Sequence, residues 1–259
     1  MLCQIDETEM RNILFYILTA FVAWLPVSAD AQQQTSQPAA AGRAATVVPT
    51  PRSEWLGSFK GISISGRMHV RVIKNLVEEG PRITYDTKGE LSAKFKAAVD
   101  RSGILKVEEP TDPKRTTVTE VTIWCNDISS LSVSGADLTV ENTIICDMFD
   151  LEVSGGANVT AAFEVTDLSI TATGRSSLVI DGSAKYMALD ISTAKFDGLS
   201  LSTVASIVEA SHMAEVRLSV SERLQGTTST SAKIYYSGQP RILRSRTTMF
   251  GGEIAPLAN

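Results

Sequence analysis

From Ile128 to about Tyr236 the sequence repeats itself, and such a repeat constrains the fold more than any single motif. Turns open at Leu131 (LSVSGADLTV), Leu151 (LEVSGGANVT), Leu168 (LSITATGRSSLVI), Leu189 (LDISTAKFDGLSL), Val208 (VEASHMAEVRLSV) and Leu224 (LQGTTSTSAKIYY). Their spacings of 20, 17, 21, 19 and 16 average about 18.6 residues. Each turn begins with an apolar–polar–apolar strand, passes a small-residue corner and enters a second short strand. Leu131, Val133, Leu138 and Val140 alternate with Ser132 and Thr139, as a strand with one buried face requires. Corners start as Ser134-Gly135-Ala136 and Ser154-Gly155-Gly156-Ala157 and loosen to Ala172-Thr173-Gly174, Ser192-Thr193-Ala194, Ala210-Ser211 and Ser229-Thr230-Ser231. Small residues suit bends where backbones stack closely.

Two architectures fit this pattern. In a β-solenoid of about six coils of 16–21 residues, each period is one coil and equivalent positions stack. In an antiparallel β-sandwich, turn signals also recur at short intervals. The solenoid is the expected all-β fold, because whole units repeat with similar sequence. Hairpin signals are also rare, Asp181-Gly182 and Asp197-Gly198 being the two cases. Ser and Thr make up 29 of the 105 residues from Asp127 to Ser231, which suits strands and not helices.

Upstream, Phe59, Ile62 and Ile64 lead to Met68, Val70 and Val72, two strands broken at Ser65-Gly66. Leu91, Phe95 and Val99 stand at i, i+4 and i+8, which predicts a short amphipathic helix over residues 90–99. Strands are expected at Ile104–Val107 and Val118–Trp124. This region is expected to cap the first coil, since an open solenoid end exposes core and unpaired backbone. The segment from Ile234 to Pro240 ends the regular pattern and begins the other cap.

The N-terminus predicts export. Met10-Arg11-Asn12 precedes an apolar run from Ile13 to Leu25, Pro26, and an A-x-A site at Ala29-Asp30-Ala31. The expected organisation is a signal peptide over 1–31, a flexible linker rich in Gln, Ala, Thr and Pro over 32–53, and one domain over 54–252. The acidic stretch before Met10 is foreign to a signal peptide, so Met10 is an alternative start. The formal charge of −5 belongs partly to the leader, whose removal leaves 25 acids and 23 bases. Such balance gives no field for nucleic acid, and no membrane span is expected after cleavage.

With 6% aromatics and 2 histidines, the composition argues against a crowded catalytic pocket. His69 and His212 are isolated, and no nucleophile elbow or phosphate-binding glycine loop occurs. Asp137, Asp147, Asp150, Asp167, Asp181, Asp190 and Asp197 fall at different offsets from the coil starts, so they read as solvated residues beside bends. Should they converge on one face, the competing reading is a carbohydrate-active enzyme, a lyase or hydrolase on a β-helix. Neither a cofactor nor a metal is called for. Cys125 and Cys146 lie 21 residues apart, close to one repeat. They are either a disulfide between equivalent positions of adjacent coils or two inward free thiols. Arg241, Arg244 and Arg246 form a small basic cluster. Arg244 and Arg246 can share a strand face and touch an anionic glycan, or remain a solvated cap. Trp55, Trp124, Tyr235 and Tyr236 can stack on sugars, although Trp55 and Trp124 occupy cap-like positions where core packing is the default. Asn158-Val159-Thr160 matches a glycosylation sequon.

The opening Phe59-Lys60-Gly61-Ile62 strand, the turns of L-x-V-S-G-A type and the closing Tyr236-Ser237-Gly238-Gln239-Pro240 resemble the secreted family of putative auto-transporter adhesins called the head GIN domain. The resemblance covers about residues 55–250. It implies a β-helix-like fold at the cell envelope, and it carries over no catalytic residue. The function expected from the whole chain is a non-enzymatic binding, adhesion or structural module. It would recognise a surface glycan or protein through Ser/Thr-rich coil faces, or act as a periplasmic accessory protein.

Overall fold

The computed structural model describes residues 51–75, 79–89, 93–248 and 250–257. The predicted signal peptide and nearly all of the predicted linker lie outside these residues. Among the described residues there is no helix, and every strand belongs to one continuous sheet. The strands are β1 (Arg52–Trp55), β2 (Gly61–Ser65), β3 (Met68–Lys74), β4 (Arg82–Asp86), β5 (Lys96–Val99), β6 (Ile104–Glu108), β7 (Thr119–Cys125), β8 (Ser130–Ser134) and β9 (Asp137–Val140). They continue as β10 (Ile144–Ser154), β11 (Asn158–Ala172), β12 (Ser177–Ser192), β13 (Lys195–Ser211), β14 (Glu215–Thr228), β15 (Ala232–Ser237), β16 (Ile242–Thr247) and β17 (Gly252–Pro256).

Coil-to-coil pairing is parallel and in register, which makes the fold a β-solenoid and excludes the sandwich. One ladder runs β6–β2–β8–β10–β11–β12–β13–β14–β16. A second runs β7–β3–β9–β11–β12–β13–β14–β15–β17. The coils read from the repeat are thus extended by further coils on both flanks. In the first ladder Leu105, Ile62, Leu131, Leu151, Ile170, Leu189 and Val208 form one buried column. Its last five members are 20, 19, 19 and 19 residues apart, more regular than the openers suggest. Leu168 and Leu224 stand two residues ahead of this column, aligned instead with Phe149, Met187 and Ser206. A two-residue offset leaves side-chain parity unchanged, so both still point inward.

Each corner takes left-handed backbone, at Gly135, Gly155, Gly156, Gly174, Arg175, Thr193, His212, Met213, Thr230 and Ser231. Later corners place residues other than glycine in this conformation, and backbone bonds between coils join them as they join the glycine corners. Arg175 N donates to Thr193 O at 2.9 Å, and Met213 N to Thr230 O at 3.0 Å. After each corner one small residue enters the core: Ala136, Ala157, Ser176, Ala194, Ala214 and Ala232, all at most 2% exposed. The carbonyl of each member accepts from the amide of the residue that follows the next member, as from Ser177 N to Ala157 O at 2.9 Å. The tight corner leaves no room for a larger side chain there.

The N-terminal region departs from chain order. The coil of β2 and β3 lies between the coil of β6 and β7 and the coil of β8 and β9. Capping falls to antiparallel strands: β5 covers the outer edge of β6, β4 covers β7, and β1 covers β4. The helix expected over residues 90–99 is not formed. Residues 93 and 94 are a turn, Lys96–Val99 is β5, and Leu91 lies outside the described residues. The turn at Asp100–Gly103, where the Asp100 carboxylate accepts from Ser102 N at 2.8 Å and Ile104 N at 3.1 Å, folds β5 onto β6. That sheet pairing overrides the helical spacing. Phe95 stacks on Tyr85 instead, with ring centroids 4.3 Å apart.

The two Asp-Gly dipeptides stand at strand irregularities. Gly182 lies inside β12 and Gly198 inside β13, each beside a register shift. A Cβ at Gly182, which has φ of 105°, would stand 2.0 Å from Phe163 O of the neighbouring coil. Gly182→Ala is therefore expected to destabilise the fold by about 2–4 kcal/mol. Gly89→Ala, at a positive φ in open space, should cost only about 1 kcal/mol. Urea unfolding of both variants checks this, and equal losses would contradict the close approach of backbones at Gly182.

Candidate binding surface

Outward side chains on the first ladder form columns along the solenoid axis. One reads Met148, Asp167, Tyr186, Ala205, Arg223; its neighbour reads Asp150, Ser169, Ala188, Ile207, Gln225. A third carries Glu152, Thr171, Asp190, Glu209 and Thr227. The ladder skips Asp147, Thr166, Lys185 and Val204, where the strands bend between two faces of the coil. Just after these bends the first two columns border a groove of 260 Å³. Small residues at Ser169, Ala188 and Ala205 make the depression. Met148 (65% exposed), Tyr186 (46%) and Ile207 (49%) stand beside it, and Asp150, Asp167 and Arg223 bring charge. The Lys185 ammonium lies 5.1 Å from the centre of the Tyr186 ring, a cation–π contact.

The predicted carboxylates divide among different places. Asp150 and Asp167 line the groove, while Asp190 belongs to the next column. Asp137 stands 3.2 Å from His69 Nε2 and accepts from Asn158 Nδ2 at 2.6 Å. Asp197 lies with Lys195, Glu215 and Arg217 on the second ladder. Among the described residues no cluster of three His, Cys, Asp or Glu side chains is placed to hold a metal.

Of the aromatic candidates, Trp55 is 69% exposed on β1, contrary to the expectation of core packing, because β1 lies outermost over β4. Trp124 is half-buried with the Arg82 guanidinium 4.3 Å above its ring. Tyr235 donates to Glu253 at 3.0 Å, and Tyr236 packs partly against the core. Tyr186, the aromatic at the groove, was not singled out from sequence. The available signal was its even offset from Met148, Asp167 and Ala205 in a 19-residue frame, which needs the true register to read.

Arg244 and Arg246 share the outward face of β16, and Arg241 occupies the bend before it; all three are exposed. Cys125 and Cys146 do not occupy equivalent positions. Cys125 is in register with Lys74, and Cys146 with Val165. Their 21-residue spacing matches one period, but the chain between them steps past the inserted β2–β3 coil. Both are free thiols here. Burial pushes the Cys125 thiol up to about 11, and burial also raises Cys146, helped by the Asp147 carboxylate.

Residues 58–240 match the family described as putative auto-transporter adhesin, head GIN domain. The chain belongs to that family. No curated protein matches the sequence. The head GIN fold is shared with a putative adhesin from Bacteroides fragilis NCTC 9343, at TM-score 0.74 and 17% identity, covering 80% of this chain and 96% of that one. A putative adhesin from Parabacteroides merdae ATCC 43184 is similar at TM-score 0.64 and 14% identity, covering 81% and 96%. So is a putative lipid binding protein from Parabacteroides distasonis ATCC 8503, at TM-score 0.65 and 13% identity, covering 82% and 98%. Among the described residues of this head GIN protein, no helix is long and apolar enough to cross a membrane.

The thiols give a direct check of the register. Because the thiolate is the nucleophile and both pKa values are raised, alkylation at pH 8 should be slow. The half-buried Cys146 should react first and Cys125 only on unfolding, as read by mass spectrometry. Two thiols that stay unmodified in denaturant until a reductant is added would instead establish the disulfide.

Proposed function

We propose that the protein is an exported, non-enzymatic binding module of the cell envelope that recognises a surface glycan along the β10–β14 groove. The observation that carries this is Tyr186, half-exposed above a small-residue floor and flanked by Asp150, Asp167, Ser169 and Arg223. An aromatic face takes the apolar side of a sugar ring, while carboxylates, hydroxyls and a guanidinium meet its hydroxyl groups. Successive coils present outward side chains at about 4.8 Å intervals, so a polymer lying along the axis meets a new rung at each coil. Affinity then accumulates over many weak contacts, in keeping with family membership and with export from the N-terminal leader pattern.

Binding to a panel of immobilised envelope polysaccharides tests this. The expected result is retention of at least one polysaccharide, with affinity falling about tenfold or more in Tyr186→Ala. Thr139→Ala, on the outward face of β9, should leave binding unchanged. The same incubations report catalysis: new reducing ends that vanish in Asp167→Asn would replace this reading with a carbohydrate-active enzyme.

A further inference from the structure

The two ends of the solenoid are finished differently. At the β6–β7 end, two antiparallel strands, β5 and β4, cover the ladder edges, and β1 covers β4. At the other end β16 pairs with β14 alone and β17 with β15 alone, so their far edges are free among the described residues. Thr248 N donates to Thr228 O at 2.9 Å, towards β14. In a parallel ladder the backbone groups of alternate residues face opposite sides, so those of Leu243, Ser245 and Thr247 face the free edge. Side chains alternate as well. Leu243, in register with buried Leu224, has core-facing parity yet is 45% exposed. Arg244 and Arg246 point outward, and their neighbours in register are Gln225 and Thr227, neither of them acidic.

We propose that the free edge of β16 accepts an extended, acidic segment of a partner polypeptide as an added strand. The backbone of Leu243, Ser245 and Thr247 supplies the pairing groups, as in recognition by strand addition. Period-two alternation sets the partner's chemistry: apolar residues cover Leu243 and continue the core, and carboxylates meet Arg244 and Arg246. A second copy docking edge to edge about a twofold axis would bring the two arginine rows together, which like-charge repulsion opposes. The Arg241 guanidinium, beside the start of the strand, extends the same attraction.

The test uses the full chain and a short synthetic peptide alternating Asp or Glu with Val, compared with a Lys-for-acid counterpart by fluorescence anisotropy at physiological salt. The acidic peptide should bind at least tenfold more tightly than the basic one, and R244E/R246E should reverse that preference. Ser245→Pro removes one free-edge donor while leaving the β14 pairing intact, and should lower affinity about tenfold; its thermal midpoint confirms that it is folded. Equal binding of both peptides, or full binding by Ser245→Pro, would reduce the effect to non-specific attraction and overturn the proposal. So would absence of binding by the folded protein. A protein that ignores the peptide but self-associates as R244T/R246T would show that the arginines only shield the edge.

Discussion

The fold depends on one constraint, that parallel strands of successive coils stay in register. Once Leu131, Leu151, Ile170, Leu189 and Val208 lie in one column, every coil must use about the same length of chain. A one-residue slip within a paired strand would turn its apolar side chains outward, so differences in coil length are taken up at corners, bends and strand irregularities. Those beside Gly182 and Gly198 do this inside β12 and β13. The small-residue column from Ala136 to Ala232 follows from the same geometry, since a corner that repeats in every coil must be tight in every coil.

Stacking leaves two ends. One is closed by β1, β4 and β5 and fastened by a buried ion pair. Arg115 Nη1 lies 2.6 Å from Glu109 Oε2, and Thr119 Oγ1 donates to Glu109 Oε1 at 2.5 Å. Arg115 also donates to Thr87 O at 3.1 Å, which ties the loop before β7 to the segment after β4. Glu109 N donates to Ser65 O at 2.9 Å, so the outermost coil is bonded to the inserted one. Burying such charges is unfavourable unless each is paired, and here both are. At the opposite end, core-parity side chains such as Leu243 reach solvent, and the same stacking rule leaves a free strand edge.

The repeat, the inward alternation and the small corners were legible in sequence because each is local or follows a short period. Three features were not. Residues 90–99 carry helical spacing, yet the turn at Asp100 folds Lys96–Val99 onto β6, a tertiary pairing no window of ten residues contains. The placement of β2 and β3 between later coils is a matter of topology, and it misled the reading of Cys125 and Cys146, whose spacing equals a period without equalling adjacency. The groove needed the true register. Opening turns at Leu168 and Leu224, two residues ahead of the true column, preserves which side chains face inward, but it shifts the outward columns of those coils, so Asp167 and Arg223 fall out of line with Met148, Tyr186 and Ala205. Inward chemistry tolerates an offset of two; a surface site does not.

The proposed recognition uses the outward half of this alternation. The interior columns fix spacing and flatness, and the exterior varies freely: Asp167, Tyr186, Ala205 and Arg223 follow one another in a column whose backbone geometry hardly changes. The most direct measurement is methionine methyl NMR of the labelled protein titrated with envelope polysaccharide. The account predicts shifts at Met148 and Met187, which line the groove, and none at buried Met68 or at the exposed corner residue Met213. Shifts centred on Met213, or spread evenly over all four, would contradict it.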